Sequence, residues 1–91
     1  MKILHLTLKK RWFDLIAKGE KTIEYREMKP YWTKRLFVNS YECKSFDVIH
    51  FKNGYAKNSP RMEVVFKGSA CDGFQYLIYL GKVLEIQNWR G

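Results

Sequence analysis

The sequence predicts a small α+β domain, mainly β: a barrel of about five to six short strands, with one main helix and a short second helix beside it. Three observations carry that expectation. Residues 2–8, 20–27 and 61–67 alternate apolar with polar side chains, the two-residue period of half-buried strands. Residues 9–18 instead space their apolar side chains as a helix does. Glycine or proline then marks most of the junctions, at Gly19, Pro30, Gly54, Pro60, Gly68 and Gly81. With 91 residues, 46% of them hydrophobic and 16% aromatic, the chain has enough bulk for one packed core over residues 1–91, which argues against disorder.

The elements follow in order. Leu4, Leu6 and Leu8 share one face of a first strand, with Ile3, His5 and Thr7 on the other. Lys9-Lys10-Arg11 opens a helix to Lys18 whose apolar stripe is Trp12, Leu15 and Ile16, with Phe13 beside it. Basic residues in a first helical turn oppose the helix dipole, which hints at a phosphate nearby. Gly19 ends that helix, where positive φ is wanted. A second strand covers about 20–27, and Pro30 suits the first turn of a short helix over 30–36. Residues 37–45, with Asn39, Ser40, Glu42 and Ser45, read as a connecting loop. Phe46 to Phe51 is apolar enough for a central strand, Asn53-Gly54 signals a turn, and the loop to Pro60 closes a hairpin. Arg61 to Lys67 alternates with Met62, Val64 and Phe66 inward, and Gly68 to Gly73 reads as a short loop. Tyr76 to Leu80 and Val83 to Ile86 finish the barrel, with a bulge or bend at Gly81.

Composition narrows the function classes. No apolar run approaches the roughly 20 residues of a membrane span, and the N-terminus enters a strand pattern at once, unlike a signal peptide. A cytoplasmic location and no membrane partner are the expectations. Cys43 and Cys71 lack metal or redox spacing, and two free thiols are expected in a reducing cytosol, with a single long-range disulfide as the alternative. The two histidines, His5 and His50, read as structural residues without neighbouring carboxylates, so no metal or other cofactor is expected. The net charge of +8 favours an anionic partner, nucleic acid first.

Candidate site residues centre on Gly19-Glu20-Lys21-Thr22-Ile23-Glu24-Tyr25-Arg26. Glu24 and Arg26 point the same way from a strand, and Lys21 stands at its mouth. The plain alternative is a solvated face with an ion pair worth about 0–1 kcal/mol. Tyr31, Trp32, Lys34 and Arg35 interleave aromatics with cations, a composition that stacks on bases and holds phosphates. For Trp32 and Leu36, four apart, the alternative is simple packing of the short helix. Lys9, Lys10, Arg11 and Arg35 would extend positive charge into a groove for a backbone.

The octapeptide fits the G-x-K-x-x-E-x-R signature and resembles ASCH domains, small barrels similar to the PUA family of RNA-binding modules. The likeness continues through Lys29-Pro30-Tyr31-Trp32, Arg35-Leu36 and Phe51-Lys52-Asn53-Gly54-Tyr55 to Pro60, covering essentially the whole chain. It looks like the compact stand-alone proteins of that family carried by phages and prophages. The resemblance implies a PUA-like barrel that binds RNA or a nucleotide-like anion in a basic cleft. Lys21, Glu24, Arg26, Lys9, Lys10, Arg11, Tyr31, Trp32, Arg35, Asn53 and Tyr55 are the expected ligand-binding residues. The cleft is expected between the barrel and the 9–18 helix, with Arg26 alternatively a structural brace for loop 53–60.

Two enzymatic alternatives stay open, and so does an adaptor that binds a host protein. Some relatives in the resembled family remove the acetyl group of N4-acetylcytidine with a lysine, a threonine and a glutamate. Lys21 carries over, but Glu24 occupies the threonine position, and Gly68 to Gln75 is too short for the segment holding the glutamate. Thr22 lies about 7 Å back along the strand and is no substitute. A rearranged hydrolase would use Glu24 as base and Lys21 as oxyanion stabiliser. Metal-free RNA cleavage would use Lys21, Glu24 and Arg26 as base, acid and phosphate clamp. The oligomeric state is not legible.

Overall fold

Leu4, Leu6 and Leu8 are all buried, and the alternation they set makes Ile3–Thr7 the first strand, β1. A computed structural model describes residues 1–39 and 41–91, so Ser40 lies outside the described residues. The helix α1 follows at Lys10–Ala17. Its buried residues are Phe13 and Ile16, whereas Trp12 is exposed, which corrects the expected stripe. The helix is rotated so that Phe13, three residues before Ile16, faces the core and Trp12 lies at the rim. Gly19, at φ 77°, ends α1 in a Schellman motif: its N–H donates to Ile16 O and the Glu20 N–H to Leu15 O, at 3.0 and 2.9 Å.

Strand β2 is Ile23–Glu27, and α2 is Pro30–Leu36, with Pro30 opening its first turn. The central strand β3 runs over Val48–Lys52, two residues later than its apolar run suggests; Phe46 lies before it and stacks edge-on against Phe66. Strand β4, Arg61–Cys71, and β5, Gln75–Gln87, are both longer than the sequence suggests. Residues 68–71 belong to β4 rather than to a loop, and the two expected final strands are one. Gly81 falls at a β4–β5 register shift, the bulge expected there, and Gly68, which looks like a breaker, falls at another; such bulges bend a strand without ending it. At Gly81 the reason is close approach: a Cβ there would meet Val65 Cβ at 3.1 Å and Lys67 Cγ at 3.0 Å.

Among the described residues five strands form one sheet in the order β1-β3-β4-β5-β2, with β1 parallel to β3 and the other pairs antiparallel. Bulges increase local twist, and the sheet curls into a half-barrel whose edges are β1 and β2. The core inside the curl comprises Leu4, Leu6, Ile49, Phe51, Met62, Val64, Ile78 and Leu80, covered by Phe13 and Ile16 of α1 and Leu36 of α2. No helix is long and apolar enough to cross a membrane among the described residues.

Candidate functional site

The polar face of β2 is the one turned inward. Glu24 pairs across the ladder with Ile78, and Arg26 with Tyr76, and cross-strand partners share a face. Both partners are core residues, so Glu24 is only 5% exposed while Tyr25 stands outside. The solvated-face alternative therefore fails. Glu24 pairs with both cations of the signature: Lys21 Nζ lies 3.2 Å from Oε1 and an Arg26 terminal nitrogen donates to Oε2 at 2.6 Å. The Lys21 ammonium also sits 4.8 Å from the Trp12 ring centre and 5.1 Å from that of Tyr25. Buried charges persist only when matched in this way.

Arg26 has a second task. Its guanidinium donates to Thr7 O of β1 at 3.1 Å, which links the two edges of the open sheet. Arg35 donates to His5 O on the same free edge at 2.7 Å. Two guanidiniums thus satisfy carbonyls that a neighbouring strand would otherwise take. Loop 53–60 is braced by other groups than Arg26: Asn53 Nδ2 donates to Leu8 O at 2.9 Å, and the Ser59 hydroxyl to Ala56 O at 2.7 Å.

Helix α2 sets the next layer. Leu36 is fully buried and Trp32 packs against the core, while the Thr33 hydroxyl bonds that of Tyr76 on β5. That seating leaves Tyr31 and Arg35, also four apart, over β1, where Arg35 donates to the Tyr31 hydroxyl at 2.7 Å. Arg26 and Arg35 lie 4.8 and 5.3 Å from the Trp32 ring centre, so one indole carries two guanidiniums. A cleft of about 410 Å³ opens beside this stack. Lys9, Arg26, Tyr31, Trp32, Arg35, Asn53 and Tyr55 line it, seven of the candidate residues. Its walls are β1, α2 and the turn at 53–55, not α1 as expected, because α1 packs flat on the core through Phe13. Lys21 and Glu24 are not in its lining; Glu24, paired with Lys21, holds Arg26.

Lys10 and Arg11 also lie elsewhere. Arg11 stacks on Trp12 at 4.9 Å, and Lys10 pairs with Asp14 at 2.6 Å. Asp14 further accepts from the Trp89 indole N–H at 2.9 Å, which ties the C-terminal tail to α1. These bonds, Lys10's first and Trp89's second, hold the Asp14 carboxyl below its ordinary value. A lowered carboxyl stabilises the docked form above its free value and loses that contribution as pH falls through the lowered one, below about 3.9. Acidification from about pH 5 to about pH 2 should therefore move the Trp89 indole N–H resonance. Asp14→Ala should show the released position throughout.

A larger cavity of about 550 Å³, missed in the sequence, adjoins the cleft and shares His5, Thr7, Tyr31, Arg35 and Tyr55 with it. It lies over the outer face of the sheet, where register aligns His5, His50, Glu63 and Glu85 in one row across four strands. His50 Nε2 meets Glu63 Oε2 at 2.8 Å, so one histidine does have a carboxylate beside it, contrary to expectation. Among the described residues no three metal-binding side chains cluster tightly enough to hold an ion. Cys43 is half-buried, donating to Ser69 O, and Cys71 is exposed; both are free thiols. No family model, curated protein or solved structure matches this chain.

Proposed function

We propose that this is a PUA-like module of the ASCH type that binds RNA or a nucleotide-like anion in the cleft between β1, α2 and the 53–55 turn. The observation that carries the reading is the paired stacking of Arg26 and Arg35 on Trp32, beside the exposed rings of Tyr31 and Tyr55. Stacked guanidiniums are held flat, with N–H groups left for phosphate oxygens, and free aromatic faces accept bases. The chain's net charge of +8 fits a polyanion. Lys21, fixed on Glu24 between two rings, suits a structural cation better than an activated one. Deacetylation of N4-acetylcytidine is accordingly not the activity favoured.

Lys9, Arg26 and Arg35 offer about three phosphate contacts, for which the affinity for single-stranded RNA should fall about 20-fold between about 50 and 200 mM salt. Fluorescence anisotropy with a labelled oligoribonucleotide reads this directly. Binding indifferent to salt would mean that the basic cleft serves a different partner.

A further inference from the structure

We propose that the cavity on the outer face of the sheet is an acid–base centre that cleaves RNA bound in the adjoining cleft, with His50 and His5 as the proton-transfer pair. The inference rests on the RNA-binding reading. Its own basis is the row that strand register builds, together with the row beside it. In the first, His5 and His50 stand on paired positions of β1 and β3, ring centres 5.4 Å apart and edge to face. Glu63 takes His50 Nε2 from β4, fixing the ring and leaving Nδ1 for a substrate. Two residues on, Lys52 and Arg61 are paired across β3 and β4 on the same face. Glu85 on β5 adds a second carboxylate to the first row, and Arg35 and Tyr31 close the cavity towards the cleft.

This is a site with a base, an acid and cations around one concavity. The side chains stay accessible, with His50 38% and Glu63 30% exposed. A structural imidazole–carboxylate contact would need neither the second histidine nor the flanking cations. The chemistry they suit is transphosphorylation within a ribonucleotide. The 2′-oxygen attacks phosphorus as its proton passes to His50 Nδ1, the P–O5′ bond breaks, and His5 in its protonated form gives a proton to the departing O5′. The products are a 2′,3′-cyclic phosphate and a free 5′-hydroxyl, and no co-reactant is consumed. Imidazoles at this spacing can each reach one of the two oxygens on a single phosphorus through hydrogen bonds of about 3 Å. Lys52 and Arg61 would neutralise the charge that develops on the phosphoryl oxygens. Glu63 acts as a positioning residue.

The test is an end-labelled oligoribonucleotide incubated with the protein in chelator, beside the same oligonucleotide with every ribose replaced by 2′-deoxyribose. Cleavage of the first alone, ending in a cyclic phosphate, is expected. His50→Ala and His5→Ala should each slow it about 100-fold or more. Both positions lie on the outer face away from the core, so the variants should melt like the parent chain. Glu63→Gln should lower the rate and displace its pH profile without changing affinity. Affinity is read separately, by anisotropy with an uncleavable 2′-O-methyl oligonucleotide. Binding without cleavage, or cleavage that survives His50→Ala, overturns the catalytic inference and leaves the binding reading standing. Absence of binding overturns both.

Discussion

Replacing Glu24 by alanine should destabilise the domain by about 3 kcal/mol or more, the cost of leaving a buried ionic group without its partner. Glu24 is the common partner of Lys21 and Arg26, whose side chains are themselves only 15% and 18% exposed. Its removal strands two cations in a site with little water to solvate them. One of them, Arg26, also bridges the sheet's edges through Thr7 O, so the loss reaches beyond the signature strand. For a domain of this size the melting temperature should fall by about 12 °C or more. Glu24→Gln keeps an acceptor but no charge and should fall between. A thermal melt followed by circular dichroism decides it. A shift under about 4 °C would mean that Glu24 does not organise this end of the sheet.

The second large effect is expected in binding. Tyr55 is 85% exposed and stands outside the core cluster and the side chains packed against it, so Tyr55→Ala should leave the melting temperature unchanged. If it stacks on a base, its loss should weaken RNA binding by about 1–3 kcal/mol, roughly 5- to 150-fold. Arg35→Ala removes a cation from the cleft together with its bonds to Tyr31 and His5 O. Its expected loss is of the same order, and its salt dependence should be shallower than the parent's, one phosphate contact fewer. Tyr55→Ala should keep the parent's salt dependence. Equal effects of the two substitutions on salt dependence would show that charge and stacking are not divided in this way.

The residues that were legible in the sequence are those whose role is local. Leu4, Leu6 and Leu8 declare a strand by spacing alone, Gly19 a helix stop and Pro30 a helix start. The bulge at Gly81 is legible, but Gly68 reads as the start of a loop, because a glycine reads alike at a loop and at a bulge and only the partner strand distinguishes them. The site divides in the same manner. That Glu24 and Arg26 share a face follows from the period of two, but which face is covered depends on Ile78 and Tyr76, about 50 residues away along the chain. The apolar side chains Ile23 and Tyr25 on the other face keep a solvated polar face open as the alternative. The row of His5, His50 and Glu63 was hidden for the same reason, since it exists only once the parallel pairing of β1 with β3 is known. Alternation sets His5 opposite the leucines of β1 and Glu63 opposite Met62 and Val64, but the apolar run around His50 assigns it no face, and nothing local joins the three.

The cleft itself is tested most directly by following backbone amide and indole N–H resonances while an unlabelled single-stranded oligoribonucleotide is added. Shifts are expected at Thr7 to Lys9, along α2 from Tyr31 to Arg35, at Asn53 to Tyr55, and at the Trp32 indole, with the Trp89 indole undisturbed. Shifts gathered instead on α1 around Lys10 and Arg11, with the Trp32 indole unmoved, would contradict that expectation.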